Sequence, residues 1–428
     1  AFIADGERLQ RIASIRDQLD LRLIGTRNDD HPDRQPDFDF ATLILESERT
    51  DLDWANVGPD DYATIFYTSG STGHPKGAVS CHRNIISALF SWELDLAARQ
   101  LELGISAPAA AEQPATLLAV PLFHATGSHA VYLQSYRAQR KIVAMYRWDP
   151  SAAVALIEAE RISSFVAPAA MTGDLIEAGK QANADLSTLL SVGGGGAPRA
   201  PAQVSNIATT FKQAMPSTGW GMTETNAIGT GIGGDDYLAR PASSGRCSAV
   251  LDLKVVDDAG HSLPAGERGE LRIRGASVIA GYWERPEANA EAFEDGWLKT
   301  GDVAYIDEAG YVFIVDRIKD LVIRGGENIG CAEVEAALLS HSEIIEASAY
   351  AVPDERLGEE VGATIYSESA IDEDTLRSYL AAHIAKFKIP RYLSQSMAPL
   401  PRIASGKINK RQLRAEAISD LGLSEENP

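Results

Sequence analysis

The chain has 428 residues, too many for one ordinary domain, and its 45% hydrophobic and 23% charged residues are the balance of a globular protein. Lys and Arg number 39 against 60 Asp and Glu, a formal charge of −21. That excludes a general binder of nucleic acid or anionic membranes, and any polyphosphate must be held by a local site against the overall field. Cys81, Cys247 and Cys331 are odd in number and far apart. They predict neither a disulfide framework nor a zinc site, and point to a reducing cytoplasm. No signal peptide is expected, because Glu7, Arg8 and Arg11 interrupt the start. No apolar run approaches the roughly 18 residues of a membrane helix.

Residues 1–24 predict strand, helix, strand, and the polar stretch 28–40 predicts a loop. A helix over 40–48 follows, and Ile65-Phe66-Tyr67 reads as the end of a buried strand. That strand runs into Thr68-Ser69-Gly70-Ser71-Thr72-Gly73-His74-Pro75-Lys76-Gly77. Glycines let backbone N–H groups approach an anion, hydroxyls add donors, and lysine adds a mobile charge. The combination suits a polyphosphate. It is not a Walker A loop, since Lys76 is followed by Gly77 rather than Ser or Thr. A helix is predicted over 84–99 and a linker over 104–114.

An apolar strand over 116–120 ends in Pro121-Leu122-Phe123-His124, where α/β folds place ligand groups, although His124 taken alone reads as a structural histidine. His129 has no assignable role. Helix 150–160, strand 164–167 and strand 189–192 lead to Gly193-Gly194-Gly195-Gly196-Ala197-Pro198. The alternation predicts a mostly parallel sheet covered on both faces. In Thr218-Gly219-Trp220-Gly221-Met222-Thr223-Glu224-Thr225 the glycines free the backbone beside an indole that can stack on a purine, and Glu224 is a hard oxygen ligand suited to Mg²⁺. Residues 245–273 alternate in short strands, predicting a small β-rich subdomain. Gly281-Tyr282-Trp283 follows without a role, then Thr300-Gly301-Asp302, whose carboxylate can accept from two vicinal hydroxyls. A strand over 311–315 ends at Asp316-Arg317-Ile318-Lys319-Asp320. Beyond it come a Gly325-Gly326 turn, a helix over 332–339, strands over 347–352 and 361–367, and a helix over 375–384. Lys407 lies on a loop after Gly406, before a helix from 410. Alone, the charged run and Lys407 read as solvated.

In this order the motifs resemble those of the acyl-adenylate-forming superfamily, which includes acyl-CoA synthetases, peptide-synthetase adenylation domains and beetle luciferases. The resemblance covers essentially the whole chain and implies a further segment before Ala1. It implies that Thr68, Ser69, Gly70, Ser71, Thr72, Gly73 and Lys76 hold the phosphates of ATP, and that Gly195, Ala197 and Pro198 wall the adenine and the acyl chain. Trp220, Gly221 and Met222 would border the nucleotide, with Thr223 and Glu224 at the reacting centre and Glu224 on Mg²⁺. Asp302 would take the ribose and Arg317 the ribose or phosphate, while His124 would border the acid's carboxylate. Lys407 would be the catalytic lysine, Lys319 the hinge, and Gly325 and Gly326 a face for the pantetheine of coenzyme A. Where relatives usually have proline, Gly330-Cys331-Ala332 stands, a departure in loop shape.

The expected fold is α/β. A large domain, 1–318, has layered, mostly parallel sheets plus the β-rich subdomain, and a small α+β lid, 319–428, follows. The expected activity is that of a cytoplasmic carboxylic acid–CoA ligase using ATP, Mg²⁺ and CoA, with no nucleic-acid partner, and compatible with a homodimer. A stand-alone adenylation domain loading a carrier protein and a non-catalytic binding homologue are the alternatives. The acid is open among fatty, aryl and short-chain classes. The small residues at 194–197 suggest room for a bulky or long acyl group.

Overall fold

The computed structural model describes residues 1–27, 36–47, 55–68, 75–102, 104, 113–195, 199, 201–211, 213–403 and 406–423. The chain forms two compact units, Ala1–Val57 and Gly58–Pro428. In the first, strands Phe2–Asp5, Leu23–Thr26 and Phe38–Asp39 form a parallel sheet in that order. The Asp5 and Asp39 carboxylates accept from the N–H of Arg8 and Thr42, capping helices Gly6–Ile12 and Phe40–Glu46. Ala4, Leu9 and Leu23 are its buried apolar centre. Most of the loop expected over 28–40 lies outside the described residues.

The second unit is built on a 12-stranded sheet. Strands Lys141–Ala144, Ala115–Leu118, Ser164–Ala167, Ser191–Gly194 and Met215–Thr218 run parallel in that spatial order. All four residues of Ala115–Leu118 are buried, as a parallel strand covered on both faces requires. Helices Pro150–Glu160 and Ala169–Ala182 lie beside these strands and share their core of Leu117, Ile157, Phe165, Leu175 and Val192. Asp149 caps the first helix and proline sits at its start, and Arg161 and Asn183, both left-handed, close the two.

At Met215–Thr218 the sheet changes sense. This strand is parallel to Ser191–Gly194 but antiparallel to Thr230–Gly233. From there Gly245–Cys247, Tyr311–Arg317, Trp297–Ile306, Gly269–Gly275 and Leu251–Val256 continue the same sheet antiparallel. The β-rich segment is therefore not a separate sheet: hydrogen bonds across Gly245–Cys247 join it to the parallel half. The turns after the parallel strands, at Pro121, Pro168, Gly195 and Gly219, leave at the strands' carboxyl ends, where open α/β sheets bind ligands.

A three-stranded sheet carries the hairpin of the Gly- and hydroxyl-rich loop. Lys76–Cys81 is its middle strand, with Tyr62–Thr68 and Gly281–Tyr282 antiparallel on either side. The strand before the loop is not buried as expected. Ile65 and Tyr67 are 41% and 68% exposed, whereas Ala78–Cys81, paired on both sides, is buried. An apolar triplet does not distinguish an edge strand from a central one.

Beyond Arg317 a 3₁₀ turn, Ile318–Asp320, leads to a five-stranded sheet of Glu327–Ile329, Val322–Arg324, Gly358–Tyr366, Glu346–Asp354 and Tyr392–Ser396. Helices Cys331–Leu339 and Glu373–Ala381 share its core of Val322, Val334, Leu338, Val361 and Leu380, and Lys410–Asp420 packs through Leu413. The expected domain break at 318/319 falls at that 3₁₀ turn.

Candidate active site

The hairpin of the Gly- and hydroxyl-rich loop pairs Thr68 with Lys76, so the segment between them is held at its two ends by one strand pair. Ser69, Gly70, Ser71, Thr72 and Gly73 lie outside the described residues. Lys76 Nζ stands 5.3 Å from the centroid of the Tyr282 ring. The hydroxyl of the same tyrosine donates to Glu224 Oε1 at 2.8 Å. Tyr282 thus links the cation of the hairpin to the carboxylate of the Gly-Met-Thr-Glu motif, a role its sequence did not reveal. Burial, with the Glu224 carboxylate beside it, pushes the phenol well above its ordinary value, so it remains a hydrogen-bond donor.

Glu224 is buried on a 3₁₀ turn, Thr223–Thr225, and its carbonyl accepts from Ile279 N–H at 2.9 Å. Among the described residues no group of three His, Cys, Asp or Glu side chains could hold a metal. One buried carboxylate suits an ion whose other ligands are substrate phosphates and water, which is how Mg²⁺ is usually bound. The chain leaves this turn through Asn226 and Ala227, both left-handed without being glycine (φ 56° and 68°). Such backbone persists only where its surroundings fix it.

Asn226 supplies that fixation. Its Oδ1 accepts from Ser80 Oγ at 3.0 Å and is 2.9 Å from His129 Nε2, and its Nδ2 donates to the Ser277 carbonyl at 2.9 Å. Burial holds His129 below the ordinary imidazole value, so the ring is neutral and Nε2–H is the donor. His129 is set by a π-helical stretch, Thr126–Leu133, that opens where Gly127 meets the Pro121 carbonyl; a Cβ there would lie 2.2 Å from that oxygen. One amide therefore ties the hairpin, the π-helix and the Glu224 turn together. Asn226→Ala should lower stability by about 3 kcal/mol, since it orphans buried partners and puts a Cβ without a hydrogen-bonding side chain at left-handed φ. Urea unfolding measures it, and a loss under about 0.5 kcal/mol would show that the network is not structural.

Asp302 is 3% exposed and lies across from Arg317 in the strand register. Its Oδ2 accepts from Trp220 Nε1 at 2.7 Å, and its Oδ1 is 3.2 Å from Arg317 Nε. Burial pushes this carboxyl above its ordinary value, with Arg317 and the indole N–H opposing. The Trp220 ring rests on Gly229, where a Cβ would come 2.6 Å from Cε3, so Trp220 orients Asp302 besides bordering the cleft. Gly221 lets the motif pass the Ala227 backbone, 2.6 Å from where a Cβ would stand, and Met222 packs beneath it.

Lys407 arrives from the other end of the chain. Its turn is closed by Ile403 N–H to the Lys407 carbonyl at 2.9 Å, uses Gly406 at φ 83°, and is braced by Arg402, which bonds the Gly406 carbonyl at 2.7 Å and pairs with Glu346. Burial first and Arg317 second push its ammonium below the ordinary lysine value, while Asp302 pulls it up. His124 is also held below its ordinary value, by burial and by the Lys407 charge. Residues 124, 302, 317 and 407 thus share one field. Lys76, Thr68, Thr223, Glu224 and Gly195 line the same cleft. Ala197 and Pro198 lie outside the described residues, as does the side chain of Lys319. Gly325 and Gly326, left-handed at φ 59° and 91°, form the turn between Val322–Arg324 and Glu327–Ile329 and do not line the cleft. Two cleft residues that sequence reasoning missed, Tyr237 and Arg199, are buried, the latter against Gly194.

Known proteins resemble this chain over most of its length. The chain is 35% identical over 361 residues to a feruloyl-CoA synthase of Amycolatopsis sp, covering 84% of this chain and 70% of that one. It is 34% identical over 359 residues to a 2-succinylbenzoate–CoA ligase of Bacillus pumilus, with the same two coverages, 84% and 70%. The solved structure of o-succinylbenzoate CoA synthetase from Bacillus subtilis with its acyl-adenylate intermediate superimposes with a TM-score of 0.77 at 29% identity, over 95% of this chain and 80% of that one. Residues 333–407 match the AMP-binding enzyme C-terminal domain and residues 4–283 the AMP-binding enzyme family. The chain belongs to the AMP-binding enzyme family.

Proposed function

We propose that the protein is an ATP-dependent carboxylic acid–CoA ligase. A carboxylate oxygen attacks the α-phosphorus of ATP and pyrophosphate leaves; the thiol of CoA then attacks the acyl carbonyl and AMP leaves. Support comes above all from one observation: Lys407, from the end of the chain, stands in the field of Asp302 and Arg317 inside the cleft that Lys76 and Glu224 line. Both reactants of the first step are anions, so alignment and positive charge are what the site must supply. Lys76 and Lys407 provide charge from opposite ends of the chain. Asp302, aimed by Trp220, accepts from the ribose hydroxyls, and Arg317 offers its planar fork beside it. His124, neutral at the end of a parallel strand, borders the acid's carboxylate. Mg²⁺ held by Glu224 would neutralise phosphate charge when bound.

The three free cysteines suit a reducing cytoplasm. Fatty and aryl acids remain the substrate classes to test, with CoA preferred over a carrier protein as acceptor. Pyrophosphate release over a panel of fatty, aryl and short-chain acids, with and without CoA, tests the reading. Acid-dependent release with thioester appearing only when CoA is added is expected. Acyl transfer to a carrier protein but not to CoA would favour the carrier-loading alternative, and no ATP turnover with any acid would favour a binding protein.

The second step needs a thiol where Lys407 now stands, so the lid, 319–428, must turn about Lys319 and present the Gly325–Gly326 turn instead. Lys319 is the second residue of the 3₁₀ turn Ile318–Asp320. In a 3₁₀ turn φ is typically near the value proline fixes, and the N–H at the second position precedes the first intrahelical bond. Lys319→Pro is therefore expected to keep pyrophosphate exchange with ATP and to cut thioester formation at least about tenfold by blocking the other setting. Lys319→Ala should cost far less. Equal loss of both half-reactions in both variants would place the hinge elsewhere.

A further inference from the structure

Arg199 is the buried cation that the reaction above does not use. Its side chain is 9% exposed, and its guanidinium lies against Gly194, where a Cβ would stand 3.1 Å from Nη2 and 3.2 Å from Cζ. Gly194 is thus small because Arg199 occupies the space. Of the small residues at 194–197, Gly194 thus has its free face occupied by Arg199. Nη2 donates to Thr172 Oγ1 at 3.2 Å and, at 3.4 Å, to the Gly193 carbonyl. Among the described residues, buried Nε and Nη1 have no hydrogen-bond partner and no carboxylate pairs with the group. Arg272, equally buried at 8%, by contrast has Glu270 and Glu294.

Among the described residues the group acting on Arg199 is a phenol, not an acid. Tyr237, 1% exposed, sits close enough for Arg199 to act on its phenol, which also bonds Thr218, and Thr172 is 2% exposed. All four side chains line the cleft. The next residue after Gly194, Gly195, faces Thr126 Cγ2 at 3.5 Å from a Cβ position, two residues from His124. Arg199 thus packs against the glycine next to the one that meets Thr126, on the wall that the acid's chain would run along. A buried guanidinium without an anion is costly, and a planar fork with free N–H groups is completed by a carboxylate. A neutral alkyl or aryl chain would leave it unpaired.

We propose that Arg199, with Thr172 and Tyr237, is the subsite for a second carboxylate of the substrate, so that the acid activated is a dicarboxylic acid joined to CoA at one end only. This rests on the ligase reading and names its substrate class. The full chain would be tested with succinate, adipate, sebacate and terephthalate against butyrate, hexanoate, decanoate and 4-methylbenzoate. The monomethyl half-ester of each diacid is the neutral-acceptor arm. Two readouts are taken: calorimetric binding of the acid without ATP, and kcat/KM for pyrophosphate release. The wild type should prefer at least one diacid over both its monoacid and its half-ester. Arg199→Met should collapse that ratio about 100-fold, and Arg199→Lys, which keeps the charge but not the fork, should lose only part of it.

Diacid binding that depends on Arg199 without any turnover would uphold the subsite and remove the ligase reading. Turnover of monoacids with no diacid preference would do the reverse. A half-ester bound as well as its diacid would assign a neutral acceptor and overturn the second carboxylate. Equal loss for all acids in Arg199→Met, with the lysine variant equally impaired, would make Arg199 a structural residue and overturn the proposal.

Discussion

Lys407→Ala is expected to lower acyl-adenylate formation by about 100-fold or more while a supplied acyl adenylate is still converted to thioester. The ammonium is carried in on a braced turn and desolvated, with its charge disfavoured by burial and Arg317. A triphosphate is the anion that such a group lacks, so its attraction is strongest as charge moves onto the leaving pyrophosphate. In water the same lysine would contribute far less. In the second half-reaction as proposed, pyrophosphate has already left and the lid would be turned away from the reacting carbonyl. Pyrophosphate exchange reads the first step, and thioester formation from acyl adenylate plus CoA reads the second. Equal loss in both would contradict a role confined to adenylation.

Glu224→Gln should reduce adenylation by about 100- to 1,000-fold, with the loss steepest at limiting Mg²⁺. The substitution keeps size and one carbonyl oxygen, so the Tyr282 hydroxyl retains an acceptor at the Oε1 position, 2.8 Å away in the native chain. What disappears is the negative charge, the property a hard cation requires. Fold should survive, because the turn is held by Asn226 and by the Glu224 backbone rather than its carboxylate. Near-normal pyrophosphate release across a Mg²⁺ titration would remove Glu224 from the metal.

The sequence by itself determined the local parts of this protein. Glycine and hydroxyl runs, a lysine after a strand, the Gly-Trp-Gly-Met-Thr-Glu turn and Lys407 after Gly406 are legible because each needs particular residue types within a few positions. The alternation of strands and helices from 115 to 218 likewise displayed the parallel half of the sheet, because burial on both faces writes continuous apolar runs. Only the tertiary structure decided the rest. Asn226 joins Ser80, 146 residues away, to His129, 97 residues away. Trp220 aims Asp302 across 82 residues, and Tyr282 reaches Glu224 across 58. Nothing in a local pattern encodes such pairings, because they come from which strands lie side by side. The same holds for the antiparallel half of the sheet, whose short strands join the parallel half through Gly245–Cys247, paired on both sides. It holds for Arg199 as well. Beside a glycine run an arginine reads as solvated, and only the packing of Gly194 against its guanidinium shows that it is buried, with no counter-charge among the described residues.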